Sequence, residues 1–408
     1  MNLRITILCQ DFPVPGADPV FLHVADVADE LSRRGHDVSV LATNRGLPSL
    51  ARAAVGPASG IRVKRLPFTW FGNRSYALRI AAAVSFFLQI GCSLLAGRRP
   101  DVLLVSTAPP MIGPVAAGFA ALRRVPIVFW AMDLHPDQLA AIGGISCRSL
   151  LYRVLHGMMR WFVRRCSTII ALDEAMKQRL IQKGADPGRI AVVPPWADDR
   201  RVGGSPLSSP AMDASSRPSK GKVLLYSGNL STSNPIASLV AAFEQTAADH
   251  DMRLVFIGTG GLAGDAKAAS AKLPARIALS PPVTAERFAS ELAAGDIHVA
   301  TMGSALTGIL HPSKVYTAIA AGRPLLFVGP VDSPSARLVL EHGLGWAVSH
   351  DPAQIAAVLM RISQLSRESL EAVGRQCLRV SQERFSQARL CQQVVECIER
   401  VGSEAGCR

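Results

Sequence analysis

Short, nearly continuous apolar runs recur along this chain, each followed by an amphipathic segment, and the pattern stops once and then restarts. In the first series, "RITILCQ", "DVSVLAT", "PDVLLVST", "PIVFWAMD" and "STIIALD" are separated by segments of helical period. A strand without apolar–polar alternation is buried on both faces, so these runs require a parallel sheet covered by helices on each side. The segment "DPVFLHVADVADELSRRGHD" carries helix punctuation. Asp18 suits the N-cap and Pro19 the first turn. Phe21, Val24, Ala25, Ala28 and Leu31 share a face, and Gly35 follows the last turn.

The interruption is "ADDRRVGGSPLSSPAMDASSRPSKGK", rich in Gly, Ser, Pro and charge and without apolar period, which reads as a linker over 197–222. Beyond it the alternation resumes with "VLLYSGN", "RLVFIGTGG", "RIALSPP", "DIHVATMG", "PLLFVG" and "GWAV". The reading is therefore α/β, with two doubly wound Rossmann-like domains over 1–196 and 223–385. Residues 386–408 are expected to form a tail helix that crosses back to the first domain.

Composition removes several classes. Hydrophobic residues make up 49% and charged residues 18%, which excludes a disordered chain. The formal charge is +13, and residues 1–200 hold 24 Lys/Arg against 14 Asp/Glu, so +10 of it lies there. That asymmetry suits an anionic neighbour such as lipid headgroups or a phosphorylated substrate, although basic residues also serve plain solubility. Aromatics are only 6%, and no basic run is interleaved with them, so no nucleic-acid partner is expected. None of the eight cysteines is in C-x-x-C spacing, so they read as free thiols in a reducing, cytoplasmic compartment. "MNLRITILCQ" reads as a first strand rather than a signal peptide. The apolar stretch Ala77 to Gly97 is broken by Arg79 and Gln89. It reads as a buried or membrane-surface helix rather than a span.

Ligands of doubly wound sheets bind beyond the carboxyl ends of the strands. Two such domains are expected to face each other across a cleft. The stretches to watch are Asp11 to Gly16, Thr107 to Pro110, Asp133 to Asp137, Ser227 to Asn229, Gly258 to Gly261, Pro281-Pro282 and Gly303 to Lys314. In "HPSKVYTAIAAGRP" a helix expected to begin near Pro312 would aim free amides at that region, with Ser313 as a hydroxyl donor and Lys314 as a full positive charge. That is an anion site suited to a diphosphate. The competing reading is a surface lysine on a packing helix. Gly228 would allow close backbone approach, and Asn229 could orient a ligand. Asp133 and His135 follow a strand directly and could orient or deprotonate an acceptor hydroxyl; either could equally be a loop residue satisfied by backbone. These stretches hold no D-x-D, the chain has no H-x-x-x-H and no G-x-S-x-G, and "FIGTGG" is not a dinucleotide fingerprint. No metal or other cofactor is therefore expected.

Several motifs in order resemble one family. "CQDFPVPGA", "HVADVADELSRRGHDVSVLAT", "DLHPD", "ALDEAMKQRLIQKGADPGRIAVVPPWAD", "YSGNL" and "HPSKVYTAIAAGRPLLFVG" are similar to the elements of bacterial family-4 glycosyltransferases of the GT-B fold, in the surface-polysaccharide branch. The resemblance implies retaining, metal-independent transfer of a sugar from a nucleotide diphosphate sugar, with UDP expected, to a glycan or lipid-linked acceptor; the basic first half and the helix from Ala77 point to the inner face of the plasma membrane. It implies that Gly16 lies near donor and acceptor and that Asp133 lies in the acceptor element. Asn229, Ser313 and Lys314 would surround the diphosphate, and Pro282 and Val283 would meet the base. The wider family carries two glutamates where this chain has Ile309 and Thr317. A degenerate paralogue that binds a nucleotide sugar or a partner therefore stays open; a nucleotide-sugar epimerase, which would need acidic groups this cleft is poor in, and a small-molecule glycosyltransferase are the further alternatives.

Overall fold

The computed structural model describes residues 2–10, 12, 22–43, 60–67, 76–197, 221–246, 252–282 and 285–406. They divide into two compact units. One comprises Met1–Pro194 with Ala388–Arg408, and the other comprises Pro195–Gln387. Trp196 and Ala197, at the start of the second unit, are buried.

The first unit is a seven-stranded sheet in the order β3-β2-β1-β4-β5-β6-β7, parallel throughout. Its strands are β1 (Arg4–Leu8), β2 (Asp37–Thr43), β3 (Arg62–Leu66), β4 (Val102–Ser106), β5 (Ile127–Ala131), β6 (Thr168–Ala171) and β7 (Ile190–Val192). Its helices are α1 (Leu22–Arg33), α2 (Tyr76–Ala96), α3 (Ile112–Arg123), α4 (Asp137–Ala141), α5 (Leu150–Val163) and α6 (Glu174–Gln182). All residues of β4 and β5 are buried, as runs sandwiched between helix layers must be. The order reverses at β1, so α1 lies on one side of the sheet. The crossovers through α2, α3 and α5 all run the other way and, being right-handed, share the opposite side. Asp18 and Pro19, expected at the N-cap and first turn of α1, lie outside the described residues.

The second unit is a six-stranded parallel sheet in the order β10-β9-β8-β11-β12-β13. It contains β8 (Lys222–Ser227), β9 (Met252–Ile257), β10 (Ile277–Ser280), β11 (Ile297–Thr301), β12 (Leu325–Val328) and β13 (Gly345–Val348). Its helices are α7 (Ala237–Gln245), α8 (Ala263–Lys272), α9 (Ala285–Ala294), α10 (Lys314–Ala320), α11 (Pro334–Glu341), α12 (Pro352–Gln364) and α13 (Arg367–Arg384). Alternate residues of β8 enter separate cores. Leu224 and Tyr226 pack with Phe243, Phe256 and Leu359, whereas Val223 and Leu225 pack with Val255 and Ile257.

The last helix, α14 (Gln387–Gly406), belongs to the first unit. A Cβ added at Gly402 would lie 2.5 Å from Leu3 Cδ1, so the helix backbone comes right against the start of the sheet. Glu399 accepts from Arg34 at 3.0 Å and meets His36 Nε2 at 2.9 Å, fixing the helix to the turn after α1.

Candidate functional site

In the second unit the strand order reverses at β8, and the carboxyl end of that strand is where a doubly wound sheet opens toward a ligand. Three glycines make the backbone tight there. Gly228 has φ of 129°, Gly258 147° and Gly260 142°. A Cβ on Gly258 would sit 2.1 Å from the Gly228 carbonyl oxygen. Both the torsion and that contact bar a side chain. Gly258→Ala is expected to destabilise the protein by at least about 3 kcal/mol, read as a lower midpoint in denaturant melts.

Against this backbone lies Lys314, the first residue of α10. A Cβ on Gly228 would fall 2.8 Å from Lys314 Cε and 3.4 Å from its Nζ. The amine stands 4.9 Å from the centre of the Tyr226 ring, a cation–π arrangement. Tyr226 is held by donating its hydroxyl to the Asn229 carbonyl at 2.9 Å. Among the described residues nothing forms an ion pair or hydrogen bond with Lys314 Nζ. Burial without a counterion lowers its pKa to about 8.

The expected helix start near Pro312 shifts to Lys314. The Pro312 and Ser313 carbonyls accept from Val315 at 3.2 Å and Tyr316 at 3.0 Å, so the opening turn is tight and takes up those amides. The amides of Ser313, Lys314 and Asn229 have no acceptor among the described residues. Ser313 and Asn229 are exposed, and the Asn229 side chain lies over Gly260. Gly228, Asn229, Ser313 and Lys314 thus gather at one sheet end, and Thr317 stands one turn further along α10. Pro282 is exposed just past β10. Gly16 and Val283 lie outside the described residues. Ile309, at a position where the wider family carries a glutamate, is only 3% exposed and packs in the core.

In the first unit, Asp133 and His135 sit on the loop after β5. Thr107 Oγ1 shapes that loop. It donates to the Trp130 carbonyl at 3.2 Å and accepts from the Met132 and Asp133 amides at 2.7 and 3.3 Å. No described residue pairs with the Asp133 carboxylate. Burial alone raises its pKa to about 6. Burial lowers that of His135 to about 4, with Asp137 opposing, so its imidazole is neutral at pH 7.

The far end of the loop is pinned. Asp137 accepts from Lys183 Nζ at 2.6 Å, and these side chains are 13% and 4% exposed. Lys183 also meets His156 Nδ1 at 3.3 Å, and Tyr152 stacks on that imidazole at 5.4 Å. Desolvation lowers the pKa of both Lys183 and His156. Sequence reading passed over Lys183, His156 and Tyr152, because no local pattern marks a pair 46 residues apart. Lys183→Met strands a buried carboxylate and is expected to cost about 3–5 kcal/mol, whereas adding Asp137→Asn should recover much of it in a double-mutant denaturation cycle.

The fold has parallels among known proteins. Residues 22–196 match the glycosyl transferase 4-like domain family. The probable glycosyltransferase WbjE of Pseudomonas aeruginosa is 26% identical over 320 residues, 76% of each chain. HepE of Anabaena, solved in complex with UDP and glucose, superposes with a TM-score of 0.71 at 16% identity, covering 98% of this chain and 100% of that one. WaaG, a glycosyltransferase involved in lipopolysaccharide biosynthesis, gives 0.65 at 15% identity, covering 97% and 99%.

Proposed function

We propose that this protein, whose residues 22–196 match the glycosyl transferase 4-like domain family and whose fold is GT-B, transfers a sugar from a UDP-sugar to a glycan or lipid-linked acceptor, with retained configuration and without a metal ion. The observation that carries the reading is the unpaired Lys314 amine at the carboxyl end of β8. A diphosphate supplies the counter-charge that the free protein lacks. In this reading Lys314 and the amides of Ser313 and Asn229 hold the two phosphates, and they bear the negative charge that grows on UDP as the glycosidic bond breaks. Gly228 lets the phosphates come against the backbone. Thr317 faces the donor from the next turn of α10, and Pro282 supports the base. Gly16 and Val283 take their donor-side roles from the family resemblance. Asp133 and His135 belong to the acceptor side, where one carboxylate orients or accepts the proton of the incoming hydroxyl. The workplace proposed is the cytoplasmic side of the plasma membrane.

That proposal is supported by UDP and glucose in HepE and by the lipopolysaccharide role of WaaG. The test is transfer or donor hydrolysis by the purified protein on a panel of nucleotide sugars, with and without a chelator. Turnover on a UDP-sugar in chelator is the expected result. A second reading, nucleotide-sugar binding without turnover, draws on Ile309 being buried where the wider family carries an acid. UDP binding with no turnover on any donor would select it.

A further inference from the structure

Helices α2, α3 and α5 lie side by side on one side of the first sheet, with α3 packed against both neighbours. Their inward residues behave as core: Phe86, Ile90, Leu94, Phe119 and Phe162 are all buried. Their outward residues are apolar as well. On α5, Leu150, Leu151, Val154, Met158 and Trp161 fall within one strip of the helix surface, and Leu150 is 75% exposed. Next to them, α3 presents Leu122 at 71%, and α2 presents Val84, Leu88 and Leu95, with Leu88 at 65%. Residues 84–96 and 112–121 contain no charged side chain. A bare aliphatic surface running over three adjacent helices is more than scattered exposure accounts for.

The charge around it chooses the partner. Residues 67–172 hold eleven arginines and no lysine against three aspartates. None of those aspartates is spare: Asp101 pairs with Arg4 at 3.0 Å, Asp137 pairs with Lys183, and Asp133 belongs to the candidate site. Arg153 and Arg160 on α5, with Arg164 at its C-cap, form the strip beside the apolar one, and Arg165 lies 4.6 Å over the Trp161 ring. Gly157, Arg160, Trp161, Arg164 and Arg165 line a shallow groove of about 440 Å³.

We propose that the outer surface of α2, α3 and α5 docks on an anionic phospholipid bilayer, with its aliphatic side chains in the interfacial region and the α5 arginines on lipid phosphates. Guanidinium groups match phosphate oxygens in pairs, and Trp161 has the amphipathic ring that settles at headgroup depth. The fluid boundary of a bilayer asks for apolar area and cations but no hydrogen-bond register, and this surface offers the first two without the third. Among the described residues no helix is long and apolar enough to cross a membrane, so the contact is peripheral. Sequence alone singled out Ala77 to Gly97; the structure adds α3 and moves the cationic edge to α5.

The experiment is flotation of the full chain with phosphatidylcholine vesicles, with and without phosphatidylglycerol, using UDP binding by calorimetry as an independent measure of fold. The wild type should partition to the anionic vesicles. Leu122→Glu with Leu150→Glu, at exposed positions, should lower that partitioning about ten-fold or more, and Arg153→Gln with Arg160→Gln should lower it comparably, both with UDP affinity unchanged. The surface assignment stands independently of the donor assignment, because loss of UDP binding in the wild type would leave the flotation result intact. Equal partitioning of wild type and variants, equal partitioning to neutral vesicles, or no partitioning at all would overturn it. So would a wild-type dimer that Leu122→Glu splits without change in vesicle binding, since that would make the surface a contact between copies.

Discussion

Replacing Lys314 with alanine is expected to lower kcat/KM by about two to three orders of magnitude, the typical loss when one preorganised donor is taken from a developing anion. The effect should lie in kcat as well as in UDP affinity, because the negative charge on the leaving group is larger in the transition state than in the donor. pH provides a second readout. Burial holds the free amine at about 8. Activity measured as kcat/KM should therefore fall as pH rises through about 8, and a bound diphosphate should move the corresponding limb of kcat to higher pH. The stability consequence has the opposite sign. An unfolded lysine titrates near 10.4, so the unfolded chain binds more protons between about 8 and 10.4, and stability should rise with pH across that window. Below it the cost of the unpaired charge is complete. Lys314→Met should then keep or raise the melting temperature, by a free energy of about 1–2 kcal/mol at neutral pH, while losing turnover. Turnover equal to wild type in either variant would refute the phosphate role.

What could be read in advance follows from how local each cause is. β4 and β5 announce themselves because burial on both faces leaves no polar alternation, and the structure buries every residue of each. Gly228 and Lys314 are visible as a glycine after a strand and a cation before a helix. Their contact is not, since it depends on α10 returning to the carboxyl end of β8. The helix start was displaced by two residues because proline fits a first turn locally, whereas here the Pro312 carbonyl instead closes a tight turn on Val315. The Lys183–Asp137 pair has no sequence signature at all. Hydropathy also drew attention to the longest apolar helix, α2. Whether a helix's apolar residues face core or solvent is decided by its neighbours, so the exposed strip on α5 became legible only with α3 in place.

Asp133→Asn carries the other large expected effect, a loss of about two to four orders of magnitude in transfer, the range for a positioned carboxylate that orients or accepts a proton. Its reasoning mirrors that for Lys314, with the charge reversed. Burial raises the Asp133 carboxyl to about 6, and nothing described nearby compensates it. If the carboxylate is the working form, kcat/KM should fall as pH drops through about 6, and the residual activity of the Asn variant should lack that limb. Folding responds the other way. A carboxyl whose folded pKa lies above its unfolded value near 3.9 binds its proton more tightly in the native state, so its cost is complete above about 6 and fades as the pH falls through that window to below about 4. Asp133→Asn should therefore be neutral or stabilising at pH 7 in thermal melts. His135 separates the two groups on this loop. With its pKa lowered to about 4 it stays neutral across the same range, so it cannot produce a limb near 6, and His135→Gln should leave that limb in place. An acid limb that disappears with His135 rather than Asp133 would reassign the working group on this loop.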